Sequence, residues 1–360
     1  MPQDSLSIRP VDVVLHIGTG KTGTTSIQVF LRDNRDRLAE LGYLYPRTPG
    51  ATRHARLVLF ASPDDEIESY PHWRRQRQSD PTRFRRSFRR RFLTEIEEAG
   101  LPRLLLSDEE LYKASEPTLR RLGRLTGQIG RSLRVVCYLR RQDEHMVSRY
   151  QQGVKIGWTQ RLSAWAHEDM SDLYDYAGRL ERHRLHLSPD AIVVRPFEQQ
   201  AFPGGSLRQD FLDAAGVDAR ADDMVQGADR NPSLDAETVE FLRLLNLHRV
   251  ETEGATPGLI DNREWIPRLS EVATGPTLTL SDPALDRFMA QWHDTNRRVA
   301  EEFLGDPTGE LFRQPRSTRD TTTEQRLDPM RLDHFFAVTG LPEHLHAPLR
   351  RLAEREAVVR

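Results

Sequence analysis

Val11-Asp-Val-Val-Leu-His-Ile-Gly-Thr-Gly-Lys-Thr-Gly-Thr-Thr-Ser-Ile-Gln28 is the stretch that decides the architecture of this chain. Its first seven residues are a β-branched apolar run, and the next eight are glycine and threonine around a single lysine. From Ser26 to Leu41 the apolar residues then recur at helical spacing until Gly42 stops them. The expectation is a strand, a glycine-rich loop and a helix. Such a junction aims backbone N–H groups and the positive end of the helix dipole at one point, which suits a phosphate-like anion. Lys21 adds a point charge there, and it is a rare residue: Lys and Arg total 52, but only Lys21, Lys113 and Lys155 are lysines. The triphosphate-binding spacing G-x-x-x-x-G-K-[ST] would place glycine at position 15, where Leu15 stands, so the Walker pattern fails.

Working outward, Phe84, Phe88, Phe92 and Ile96 step along a helix that ends near Gly100, and Leu101 to Leu106 reads as a buried strand. Pro117 opens a helical pattern reaching about Gly130, and Leu133 to Leu139 is another strand. Strands alternating with helices imply a parallel sheet with right-handed crossovers. Beyond it the pattern turns helical: Asp143 to Val154, Leu173 to Leu187, Arg208 to Ala215, Asp235 to His248 and Asp282 to Phe303, with one further strand at Ala191 to Arg195. The fold class expected is therefore α/β, a parallel β-sheet flanked by helices, with a largely helical second half. Residues 1–305 are expected to form the α/β domain, with helical cap elements at about 143–187 and 208–305. Residues 306–360 are expected to be a linker and a small helical C-terminal appendix. Thr252 to Pro276, rich in Gly, Pro and Thr, reads as a loop.

The 360 residues suffice for one large domain or two compact ones, and the net charge of -2 gives no whole-molecule field to hold nucleic acid. Any anion site must be local. Cys137, the single cysteine, excludes an internal disulfide and a multi-cysteine metal site. With no signal-peptide h-region before Val11 and no apolar stretch long enough to span a bilayer, a cytoplasmic protein is expected, with membrane contact at most peripheral. No clustered His, Cys and Asp spacing suggests a metal site, and Asp64-Asp65 and Asp222-Asp223 read as solvated loops.

His16 to Gln28 resembles the 5′-phosphosulfate loop of sulfotransferases that use 3′-phosphoadenosine 5′-phosphosulfate (PAPS), whose core is K-T-G-T-T/S, in particular the bacterial carbohydrate-type branch. A second stretch, Arg134 to Ser148, is a strand ending in arginine with a serine eight residues on. In the resembling family that pair grips the 3′-phosphate, so Arg140 and Ser148 are implied, with Arg141 the alternative to Arg140. Leu104-Leu-Leu-Ser-Asp-Glu109 looks like the family's L-S-S-E segment, with Asp108 in place of the second serine. The resemblance thus implies the sulfotransferase fold, a P-loop-like variant of the α/β sheet, and PAPS as co-substrate without a metal. It places Gly20, Lys21, Thr22, Gly23, Thr24, Thr25 and Ser26 on the 5′-phosphate and sulfuryl group, and a carbohydrate or other hydroxyl as acceptor, such as an anionic glycan or glycolipid. Lys21 would neutralise the leaving oxygen, and Glu109, or else His54, would take the acceptor's proton. His16 is a further histidine candidate.

Each feature also has a plainer reading. Ser107 can cap a helix with Glu110 at its third position, leaving Glu109 a dipole-complementing acid. Arg74 to Arg91 holds nine arginines in eighteen residues, either a solvated face or an attractor for an anionic acceptor, with Tyr70 and Trp73 beside it as packing or sugar-stacking rings. Asp229 to Glu237 looks like the R-x-N-x-S turn of the same bacterial group, and Ser233 or Asp235 can cap the helix after it. The arginine-lysine-glycine loop with which cytosolic sulfotransferases close the 3′-phosphate site is absent. Two other functions fit the loop: a nucleotide kinase or NTPase with Thr22 and Asp108 on Mg²⁺, and a non-catalytic anion- or glycan-binding module.

Overall fold

The computed structural model describes residues 9–75, 80–227, 234–317 and 320–358. Five parallel strands form one sheet: β1 (Val11–Gly18), β2 (Tyr43–Leu44), β3 (Arg103–Ser107), β4 (Gly130–Leu139) and β5 (Ala191–Pro196), in the order β2-β3-β1-β4-β5. The chain is thus α/β, with helices packed on the sheet. β1 lies at the centre because both of its faces are covered, and its run of apolar residues is nearly continuous, as a doubly covered parallel strand requires. Its register sets His16 beside Ser107 of β3 and Gly18 beside Tyr138 of β4. The chain leaves β1 toward β2 and β3 on one side and returns past it to β4 and β5. The C-terminal ends of β3, β1 and β4 therefore share one edge, where ligands of open α/β sheets bind.

Contacts divide the chain into two units. The first holds residues 9–141, 170–227 and 293–314 with the five-stranded sheet, and the second holds 142–169, 234–292 and 315–358. In the first unit the helix expected from Ser26 to Leu41 is two helices, α1 (Thr24–Asp33) and α2 (Arg35–Glu40). Asn34 breaks it. Its side chain donates to Phe30 O at 2.8 Å and Val225 O at 2.9 Å and accepts from Val225 N–H at 2.8 Å, so a long-range partner holds it off the helical dihedrals (φ -110°, ψ 22°) although its N–H still donates to Phe30 O and its C=O still accepts from Leu38 N–H. The pattern from Leu173 to Leu187 divides likewise, because Asp175 caps the helix Tyr176–Leu187 by accepting from Gly178 N–H. The helix Pro81–Ala99 is as read, with Asp80 capping one end and Gly100, left-handed, closing the other.

The second unit is mainly helical: Gln142–Lys155, Ala236–Glu253, Ile266–Val272, Asp282–Ala290, Leu332–Thr339 and His346–Val358, with a two-stranded pair β6 (Thr277–Leu278) and β7 (Thr321–Thr322). The single helix expected over Asp282 to Phe303 is two, since His293–Phe303 belongs to the first unit. Arg243, fully buried, pairs with Glu240 and reaches Glu356 at 2.9 Å, which ties the C-terminal helix to Ala236–Glu253. Arg316 collects Asp143, Asp282 and Asp286, each within 2.9 Å. Among the described residues no helix is long and apolar enough to cross a membrane.

Candidate functional site

The loop after β1 is built to leave donors open. Gly20 (φ 73°), Lys21 (φ 52°) and Gly23 (φ 71°) are all left-handed. For a lysine that conformation costs about 1 to 2 kcal/mol. Gly23 is the N-cap of α1, no side chain caps that helix, and its first turn holds no acid. The N–H groups of the first turn thus end in an uncompensated positive dipole. Thr22 and Thr24 are buried with their hydroxyls 3.3 Å apart, whereas Thr25 is exposed and Ser26 half-buried. The two left-handed glycines differ in what surrounds them. Gly23 sits against Leu207, where a Cβ would overlap Leu207 Cδ2, while Gly20 faces open space.

Lys21 is half-buried and makes no ion pair among the described residues. Burial, and then the neighbouring Arg140 guanidinium, hold its pKa below the ordinary lysine value. Arg140 leaves the end of β4, donates through Nη1 to Lys21 O at 3.1 Å and lies 5.9 Å over the Phe197 ring. Tyr176 OH donates to Arg140 O and steadies that turn. Arg141 Nη1 instead donates to Gln314 O at 3.3 Å, so of the two arginines it is Arg140 that reaches the loop. Ser148 lies on the helix Gln142–Lys155 of the second unit.

At the end of β3 the sequence reading of Ser107 as a helix cap is replaced. Ser107 is buried in the strand, with Oγ 2.9 Å from His16 Nδ1 and 3.2 Å from the Gln28 amide. Asp108 is the cap, accepting from Glu110 N–H at the start of a short 3-10 turn, Glu109–Lys113. It is fully buried and its Oδ2 meets no partner. Burial pushes the Asp108 carboxyl up to about 6, against the pull of Arg53, whose Nε donates to Oδ1 at 2.8 Å. Glu109 remains partly open, its side chain 25% exposed. Gln28 Nε2 donates to its Oε2 at 2.9 Å, and Arg53 Nη1 lies 3.2 Å from its Oε1. Sequence reading pointed to Glu109 but missed Gln28, which ends the quoted loop motif, and Arg53, which directly precedes His54. A basic residue immediately before His54 was the available signal.

His54 does not stand as a free base. Its Nε2–H donates to Pro46 O at 3.0 Å and its Nδ1 accepts from Ser107 N–H at 3.1 Å, so both nitrogens are engaged in a fully buried ring against Tyr45. Its own N–H donates to Ser107 O, which staples the loop after β2 to the end of β3. His16 is equally buried, between Tyr138 and Phe211, with Nε2 unpartnered. Burial takes both histidine pKa values down to about 3.

The remaining expectations fall elsewhere. Trp73 is buried edge-on against Phe84 and is packing. Arg85 pairs with Asp64, whereas Arg83, Arg86 and Arg90 line one exposed stripe of Pro81–Ala99. Asp235 caps Ala236–Glu253 by accepting from Thr238 N–H at 2.9 Å. Arg230, Asn231 and Ser233 of the R-x-N-x-S turn and Arg77 of the arginine run lie outside the described residues. Among the described residues no three His, Cys, Asp or Glu side chains group as metal ligands.

No model of a known protein family matches the chain, and no solved structure matches it. A 172-residue stretch, 48% of the chain, is 24% identical to an uncharacterized protein of Archaeoglobus fulgidus. The chain spans about half the length of that relative, 46% of it.

Proposed function

We propose that this protein is a sulfotransferase that moves a sulfuryl group from PAPS to a hydroxyl of a carbohydrate or other small acceptor. The observation that carries the reading is the surroundings of Lys21: a half-buried cation that pairs with no carboxylate among the described residues, in a left-handed loop at a helix N-terminus without a side-chain cap, beside Arg140. An anion at this point would accept from the open N–H groups of the helix end and lie against Lys21. The residues fit the group that the sequence resemblance implies. The N–H and O–H donors of Thr22 to Ser26 hold the 5′-phosphate, and Arg140 holds a second phosphate.

In the transfer, the acceptor oxygen forms a bond to sulfur as the bond from sulfur to the bridging phosphate oxygen breaks. Lys21 stabilises the charge growing on that oxygen, and Glu109 takes the acceptor's proton. The sheet edge holds these groups at the ends of adjacent strands, which replaces a chance encounter by a fixed geometry.

Calorimetry of adenosine 3′,5′-bisphosphate against ATP with Mg²⁺, in wild type and Arg140→Ala, tests the reading. Metal-independent binding of the bisphosphate that weakens in Arg140→Ala supports it. Binding of Mg²⁺-ATP alone moves the assignment to a kinase or NTPase. Tight bisphosphate binding with no sulfate transfer to any acceptor or to water makes it a binding module.

A further inference from the structure

We infer that Gln28 and Arg53 are positioning residues that clamp the two oxygens of the Glu109 carboxylate and so set the direction from which it accepts a proton. The inference rests on the sulfotransferase reading and adds two residues to its machinery. Gln28 comes from α1, one turn beyond the anion loop, and is almost fully buried. One of its two amide protons goes to Ser107 Oγ at 3.2 Å and the other to Glu109 Oε2 at 2.9 Å. Ser107 thereby fixes the amide, and the amide fixes the carboxylate. Arg53 comes from the opposite side, on the loop stapled by His54 to Ser107. Its Nε is bonded to Asp108, its Nη1 is 3.2 Å from Glu109 Oε1, and its Nη2 is 3.7 Å from Glu110.

A carboxylate has about four lone-pair sites. The two clamps occupy one on each oxygen and leave the others for the acceptor's O–H, on a side chain that is 25% exposed. A free glutamate samples several rotamers, so a group held by one hydrogen bond and one ion pair is aligned before the acceptor arrives. The same arrangement explains why His54, with no free nitrogen, belongs here: it seats Arg53.

The reaction with water as acceptor provides a probe that needs no acceptor screen. Water oxygen bonds to sulfur, the bond from sulfur to the bridging oxygen breaks, the proton passes to Glu109, and the products are sulfate and adenosine 3′,5′-bisphosphate. Sulfate release from PAPS is followed at saturation in wild type, Glu109→Gln, Gln28→Met and Arg53→Lys, with the bisphosphate Kd measured in each. Gln28→Met keeps the buried volume, and Arg53→Lys keeps the charge while losing the fork. Losing the Gln28 hydrogen bond or the Arg53 fork on the carboxylate predicts kcat lower by about ten- to a hundredfold in each, with the Kd within about twofold of wild type. Arg53→Lys should also regain part of the activity lost in Arg53→Ala. Unchanged kcat in Gln28→Met and Arg53→Lys, while Glu109→Gln is inactive, overturns the clamp and leaves the sulfotransferase reading intact. Failure of wild type to bind the bisphosphate, or full activity of Glu109→Gln, overturns the reading itself and the clamp with it. A weakened Kd in the clamp variants alongside the lost kcat assigns them to the fold of the loop and also overturns the proposal.

Discussion

Lowering the pH from 7 to 5 should destabilise the first unit by about 2 to 3 kcal/mol, and the structure sets both the sign and the size. His16 and His54 are fully buried and their pKa values lie at about 3, against 6.5 for a solvated imidazole. Between those values the unfolded chain binds protons that the folded chain refuses, so stability present above pH 6.5 is lost as the pH falls. By pH 5 each histidine accounts for a loss of about 2 kcal/mol relative to pH 7. Asp108 runs the other way. Its carboxyl, at about 6 when folded and 3.8 when unfolded, takes up its proton first in the folded chain, which returns about 1 kcal/mol by pH 5. His183, buried with its pKa lowered by desolvation, adds to the loss. Urea unfolding at the two pH values reads the difference directly from the midpoint and slope. His16→Gln and His54→Gln should each remove roughly half of the histidine-driven pH dependence, whatever they do to absolute stability. An unchanged midpoint between pH 7 and 5, or a drop that persists in full in the double variant, refutes the argument.

Lys21→Ala should lower sulfate release from PAPS by about a hundredfold or more while leaving the thermal midpoint within a few degrees of wild type, as measured by turnover and calorimetric scans. Gly20→Ala should cost about 1 kcal/mol for its left-handed backbone, and Gly23→Ala more, because its methyl also meets Leu207; the order of the two thermal midpoints checks this. Tyr138→Phe removes the donor to the buried Asp210 carboxylate, whose other neighbour, Arg195, is 3.7 Å away, and should cost about 1 to 3 kcal/mol in urea without altering bisphosphate affinity.

The sheet was legible because its central strands announce themselves as short apolar runs, and the loop because glycine, lysine and threonine cluster where strand gives way to helix. β2 was missed, since two residues carry no period. The break at Asn34 was missed for a different reason: its cause is Val225, 191 residues away, and no local pattern encodes a partner that distant. The site divided along the same line. Lys21 could be read from the glycine loop and Arg140 and Glu109 from the resemblance, but whether His54 was available to a proton depended on Pro46 O accepting its Nε2–H and Ser107 N–H filling its Nδ1 lone pair. The role of Ser107 changed because Asp108, with the longer reach to Glu110 N–H, took the capping position.

The Asn34 amide has a consequence for synthesis of the chain. It pairs with Val225 through both N–H and C=O, as one strand residue pairs with another, and so moors the far end of the helix whose near end carries the glycine loop. Leu207 packs on Gly23 at that near end, and Thr295 bonds Asp175 and Ala177 within the same unit. A nascent chain that has emerged as far as β5 thus carries every residue of the loop and the whole sheet, yet neither mooring of α1. Contacts so remote in sequence close late, and slow folding is expected of them. Ribosome-stalled chains ending before and after residue 227 should differ sharply in protease resistance of α1, the shorter one being cut within the helix.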